Sequence, residues 1–134
     1  PLYVDDLKTR AARLRLGDRV VWKGFTTETE KVALYAECLG VVYPPVDEDY
    51  GYITLEAMLA HKPVITTHDS GGPLEFVVDG ETGLVVDATP DALAAAMDQL
   101  WRDRVTARKL GETGHAVYHD KRISWDTVVD VLTS

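Results

Sequence analysis

Residues 48–75 read EDYGYITLEAMLAHKPVITTHDSGGPLE, and the fold is decided there. Val64-Ile65-Thr66-Thr67 is an unbroken β-branched run, the pattern of a parallel strand covered on both faces. Ahead of it, a helix over about Ile53 to Ala60 turns Leu55, Met58 and Leu59 toward a core, and His61-Lys62-Pro63 ends it. Behind it, Ser70-Gly71-Gly72-Pro73-Leu74-Glu75 is a glycine turn with a proline placed to start a short helix. Loop, helix, strand and glycine turn follow one another at short range, which is the rhythm of an α/β domain.

The flanking sequence keeps that rhythm. Upstream, Leu7, Ala11 and Leu14 have helical spacing, Asp5 and Asp6 sit in the first turn, and Gly17 is placed to terminate the helix. Arg19-Val20-Val21-Trp22-Lys23-Gly24 reads as a short strand. Thr27-Glu28-Thr29-Glu30 has capping-box spacing and opens a helix whose buried stripe is Val32, Tyr35, Ala36 and Leu39. Gly40 closes it before a strand at Val41-Val42-Tyr43, cut short by Pro44-Pro45. Downstream, the turn Asp79-Gly80-Glu81-Thr82-Gly83 leads into a strand at Leu84-Val85-Val86. Thr89-Pro90 then caps a helix with Leu93, Met97, Leu100 and Trp101 on one side. Asp103 to His115 is helical with weaker periodicity, and Ser124-Trp125 opens a last helix bearing Val128, Val129 and Leu132. Strands alternating with helices predict an α/β, Rossmann-like parallel sheet with helices on both faces, over one domain spanning residues 1–134. Ligands in such sheets bind at the carboxyl ends of the strands, so the Glu48 loop and the Gly71-Gly72 turn should meet at one edge.

The totals narrow the function. Fourteen Lys plus Arg against 22 Asp plus Glu leave a net charge of -8, which repels a phosphate backbone and argues against a nucleic-acid partner. The basic run Lys8, Arg10, Arg13, Arg15 and Arg19 has no interleaved aromatics and reads as a solvated helix face. The one cysteine, Cys38, makes no internal disulfide and falls in a periodic helix as a small core residue, which fits a reducing compartment. No apolar run approaches the ~20 residues of a transmembrane segment, and the start of the chain has no signal-peptide pattern; a cytoplasmic location is expected.

In the central stretch, a helix starting near Tyr52 offers backbone amides and a dipole to an anion such as a diphosphate, and Gly51 lets the backbone approach it. The Thr54 hydroxyl either adds a donor there or caps its own helix. Glu48 in the loop and Glu56 one turn into the helix either accept hydrogen bonds from the hydroxyls of a sugar or ribose, or serve as a cap and a solvated face. A calcium loop is excluded on count: with Gly51 sixth, the first and twelfth positions fall on Val46 and Ala57, neither of them a carboxylate. His61, His68, His115 and His119 lack metal spacing on a common face; His115 and His119, at i, i+4 beside Gly114, read as surface residues. His68, just past a strand, is the one histidine placed near the ligand edge, and it too reads as a surface residue.

Glu48 and Glu56 with Gly51 between them, then Glu56-Ala57-Met58, Lys62-Pro63-Val64-Ile65, Gly71-Gly72 and Glu75, resemble the donor-binding half of retaining GT-B glycosyltransferases of family four, the glycogen synthase and sucrose synthase type. Val20 to Gly24, Val42-Tyr43-Pro44, Asp79 to Val86 and Ser124-Trp125 also fall where that family has matching segments, so the likeness runs from Pro1 to about Leu132. The resemblance implies a nucleotide-sugar donor, with Glu48 on the transferred sugar and Glu56 on the ribose hydroxyls. It brings the backbone of Tyr50, Gly51, Tyr52, Ile53 and Thr54 to the sugar and diphosphate, with Thr54 near a phosphate; Gly71 and Gly72 belong to the same donor-binding set. The anomeric configuration is kept, no cofactor or metal is required, and the leaving diphosphate helps to deprotonate the acceptor. Asp49 and Tyr50 depart from the more usual glycine or proline and phenylalanine.

Family members also carry an acceptor-binding N-terminal domain, and their donor domain starts with two strands, bearing a Lys and an Arg, that precede anything here. In the strand order 3-2-1-4-5-6 those strands would separate Val20-Val21-Trp22 from Val41-Val42-Tyr43. The expectation is therefore a fragment of a two-domain enzyme, inactive alone, with a sheet gap between those runs and an N-terminal acceptor domain upstream. The acceptor, base and sugar are not encoded in these residues. Alternatives of other classes are a non-catalytic nucleotide or nucleotide-sugar binding module and a GT-B epimerase.

Overall fold

A computed structural model describes residues 2–48 and 52–133, with side chains for residues 3–48, 52–121 and 132. The chain packs as two compact units, residues 1–31 and 32–134.

In the first unit, α1 (Leu2–Arg13) carries Asp5 in its first turn and Arg10 and Arg13 in its last, each favourable to the helix dipole. Its end differs from expectation. The helix closes at Arg15, in the left-handed region at φ 55°, with Leu16 N–H bonded to the Ala11 carbonyl and Arg15 N–H to that of Ala12; Gly17, also at positive φ (51°), lies beyond that closure. Those crossed bonds satisfy the last carbonyls two residues before glycine is reached. A 3-10 turn at Gly17–Arg19 follows. Val20 to Gly24 is not a strand: no ladder among the described residues includes it, and Val21 and Trp22 are exposed. A β-rich run becomes a strand only when another pairs with it. Thr27 then caps α2 (Glu28–Glu37), its hydroxyl accepting from Glu30 N–H at 3.1 Å and meeting Glu30 Oε1 at 3.1 Å, as the capping-box spacing predicts.

The second unit holds a three-stranded parallel sheet, β1 (Val41–Val42), β2 (Val64–Thr67) and β3 (Gly83–Val86), in that order. This is the α/β class expected. Val41 pairs with Val64, and Val64 with Gly83. All four residues of β2 are buried, as its β-branched run requires. On one face Ile65 and Leu84 pack with Ala96, Leu100, Ala107 and Leu110 from α4 (Pro90–Arg102) and α5 (Arg104–Thr133). On the other, Val64 packs with Ala57 of α3 (Tyr52–Leu59) and with Val77. Thr89 caps α4 as read, accepting from Ala92 N–H at 3.1 Å.

Three expectations about these helices are corrected. In α2 only Tyr35 and, just beyond it, Leu39 reach the core; Val32 and Ala36 are exposed, because the described sheet ends at β1 and offers that face only a narrow edge. In α4, Leu100 is buried but Met97 and Trp101 are exposed, lining a shallow groove with Leu39, Gly40 and Val42 beside the same edge. Ser124-Trp125 opens no new helix, since α5 runs through it; after Gly114 the sequence offers neither glycine nor proline to break it. The side chains of Trp125, Val128 and Val129 lie outside the described residues, and Leu132 is exposed. Among the described residues no helix is long and apolar enough to cross a membrane.

β1 has no second partner among the described residues.

Candidate functional site

β1 and β2 run parallel, so the segments after them emerge at one edge of the sheet. Tyr43 extends β1 through a bond from its N–H to the Ile65 carbonyl, and Pro44-Pro45 then ends the ladder. The chain returns to β2's exit through Asp47, in the left-handed region at φ 48°, where a short acidic side chain is tolerated. There the two exits clasp. Asp47 N–H donates to the Asp69 carbonyl and Glu48 N–H to that of Ser70, both at 2.8 Å, while Gly72 N–H returns a bond to the Glu48 carbonyl. Glu48 and Gly71 thus form one further parallel bridge beyond the strands. The meeting of the Glu48 loop with the Gly71-Gly72 turn, expected from topology, is present.

Only glycine fits at residue 71. Its φ of 81° and ψ of −116° lie where side chains are disfavoured, and an added Cβ would stand 2.8 Å from the Glu48 carbonyl oxygen and 2.9 Å from its nitrogen. The glycine turn is therefore a seat for the backbone of Glu48. The Glu48 side chain is left exposed above it.

α3 starts at Tyr52, four residues beyond Glu48. Asp49, Tyr50 and Gly51, and so the expected roles of Tyr50 and Gly51, lie outside the described residues. Tyr52 is exposed and Ile53 half-buried. Thr54 is fully buried and its hydroxyl has no hydrogen-bond partner among the described residues, as is also true of the buried Ser70 hydroxyl beside the clasp. A buried hydroxyl without a partner costs about 1–3 kcal/mol, so both mark places where this edge is under-satisfied.

Glu56, half-buried in α3, is held by a residue that sequence reading had assigned only to the core. The Tyr35 phenol of α2 hydrogen-bonds its carboxylate; burial first, then that bond and the glutamate's charge, hold the phenol pKa well above its ordinary value. The signal was faint: Tyr35 lay on an apolar stripe, and only its polar tip hinted at a partner. Cys38, near by, has its thiol pKa raised by burial and bonded to the Tyr35 carbonyl at 3.3 Å, so it stays a protonated packing residue. At the outer part of the edge, His68 and Asp87 lie 3.7 Å apart and exposed.

The site therefore joins two carboxylates on different supports, a helix N-terminus and a glycine turn at the C-terminal edge of a parallel sheet. Acids beside a helix N-terminus suit a ligand that is part anion and part polyol.

The family model for glycosyl transferases group 1 matches residues 2–117. Alpha-1,3/1,6-mannosyltransferase ALG2 of Dictyostelium discoideum is 35% identical over 119 residues, 89% of this chain and 28% of that protein. D-inositol 3-phosphate glycosyltransferase of Corynebacterium glutamicum (strain R) is 33% identical over 131 residues, 97% of this chain and 31% of that protein. Among solved structures, Anabaena Alr3699/HepE in complex with UDP superposes with a TM-score of 0.85 at 25% identity, over 98% of this chain and 36% of that one. The chain thus spans about a third or less of these relatives. With the family model covering most of its length and an α/β fold shared with glycosyltransferase structures, the chain belongs to the glycosyl transferases group 1 family.

Proposed function

We propose that this chain is the donor-binding part of a retaining glycosyltransferase, a fragment of a two-domain enzyme that moves a sugar from a nucleotide-sugar to an acceptor. The observation that carries the reading is the clasp between Glu48 and the Gly71-Gly72 turn, which sets an acid and a helix N-terminus side by side at the sheet edge. UDP in the Anabaena neighbour supports a nucleoside diphosphate as the anion. In this reading the amides of residues 50–54 face the diphosphate, Glu56 takes the ribose hydroxyls and Glu48 the transferred sugar. Transfer with retention needs no carboxylate base here, because the departing diphosphate oxygen accepts the acceptor's proton, and it assigns no work to a metal. The acceptor binds to an N-terminal domain, so the chain alone transfers nothing; the enzyme works in the cytoplasm.

Ligand-observed NMR of the chain with UDP, GDP and ADP, and with their sugars, tests this. Selective binding of one nucleotide, weakened at least tenfold in Glu56→Ala, is expected. Binding unchanged by Glu56→Ala, or none to any nucleotide, would overturn the assignment of the donor site to this chain.

A further inference from the structure

At the opposite edge of the sheet from the clasp, the turn that follows α3 reaches His61, which takes the left-handed position at φ 59°. Gly111 of α5 lies against the His61 carbonyl, so close that an added Cβ would overlap it, and Gly114 lies on Met58. Those two glycines let α5 settle onto the end of α3. One turn beyond Gly111, the His115 ring stacks on that of His61, with centroids 3.7 Å apart and planes 14° apart. One further turn on, His119 Nε2 stands 3.1 Å from His115 Nε2. Three histidines that sequence spacing scattered over the surface form one cluster, because helix packing brings His61 to the i, i+4 pair.

We propose that His115 and His119 form a two-nitrogen chelate for a borderline transition-metal ion, copper, nickel or zinc, with the His61 ring bracing His115. Two nitrogens ~2.0–2.1 Å from one ion, at the roughly 90–110° angles such ions adopt, stand about 2.9–3.4 Å apart. The observed 3.1 Å lies within that bite. In the metal-free pair one Nε2 carries the proton that the other accepts; moving it to the same ring's Nδ1 frees both Nε2 lone pairs without changing the charge. Among the described residues no group of three or more His, Cys, Asp or Glu side chains surrounds a metal position. Water therefore completes the coordination, reached from the exposed His119 side. Imidazole nitrogens with no carboxylate favour these ions over magnesium and calcium. The cluster shares no residue with the Glu48 and Glu56 site and is independent of the donor-binding reading.

Calorimetric titration of the 134-residue chain with nickel, copper, zinc and magnesium chlorides, alongside imidazole proton NMR, tests it. One nickel ion per chain is expected, shifting the His115 and His119 resonances and leaving those of His68, with copper bound more tightly and magnesium not at all. His119→Ala, at an exposed position that leaves the fold intact, should weaken nickel binding at least tenfold, and His115→Gln likewise; His68→Ala should change nothing. Thermal unfolding should shift upward in nickel and return on adding EDTA. Absence of nickel binding, equal binding by His119→Ala, or an equal loss in His68→Ala would overturn the proposal.

Discussion

Replacing Gly71 by alanine should open the clasp, and Gly80 supplies the control that isolates why. Both residues have positive φ, 81° and 77°, so alanine at either meets a backbone cost of about 1–2 kcal/mol. At Gly80 nothing lies within 4 Å of the added Cβ, and that cost is the whole effect. At Gly71 the Cβ would stand 2.8, 2.9 and 3.0 Å from the carbonyl oxygen and nitrogen of Glu48 and the carbonyl carbon of Asp47, all backbone atoms that cannot rotate aside. Overpacking of this kind adds about 1–3 kcal/mol, so Gly71→Ala should cost about 2–5 kcal/mol in all. For a chain of this size that lowers the thermal midpoint by roughly 8–20 °C, against about 4–8 °C for Gly80→Ala. Relief comes most easily by pushing the Glu48 loop off the turn, so nucleotide affinity should also fall in Gly71→Ala at least tenfold, and not in Gly80→Ala. Thermal unfolding and the nucleotide titration, run on both variants, read the two effects. Equal destabilisation by the two alanines, or unchanged nucleotide affinity in a folded Gly71→Ala, would refute the claim that residue 71 seats Glu48.

Gly111→Ala tests the close approach of α5 to α3. Helix propensity alone predicts a gain of about 1 kcal/mol, whereas overlap with the His61 carbonyl predicts a net loss of about 2 kcal/mol or more, and denaturant unfolding gives the sign. Tyr35→Phe removes the phenol that holds Glu56, and should weaken nucleotide binding by roughly 2–10-fold in the titration. The same variant has an alkaline signature. The unfolded chain releases the Tyr35 proton from about pH 10 upward while the folded chain retains it, so above pH 10 the wild type should lose stability more steeply than Tyr35→Phe, and below pH 10 the two should run parallel.

What the sequence showed and what it hid divide by how local the cause is. The β-branched run of β2, the Thr89-Pro90 cap and the Thr27–Glu30 box each depend on residues within a few positions, and each is found as read. Val20 to Gly24 has strand composition as good as that of β1, but a strand is a property of two segments, and no described neighbour pairs with it. Met97 and Trp101 have helical spacing with Leu93 and Leu100, yet the sheet beneath ends at β1 and leaves them exposed. Periodicity names the face of a helix. It does not say how far the sheet beneath extends.

The candidate site divides in the same way, and the division bears on how it works. The acids were visible because carboxylates beside glycine and a helix start are unusual company; the groups that hold them were not. Glu48 is placed by backbone bonds to Ser70 and Gly72, so its position is fixed by main-chain geometry while its side chain is exposed. Glu56 is held through its side chain, by a phenol that comes from a different helix. An exposed acid suits a group that changes position during reaction, and an acid held through its side chain suits one that stays put. In a nucleotide-sugar the sugar is what moves and the ribose is what remains. In the proposed reading, the acid on the sugar is the one placed by its backbone, and the acid on the ribose is the one held through its side chain.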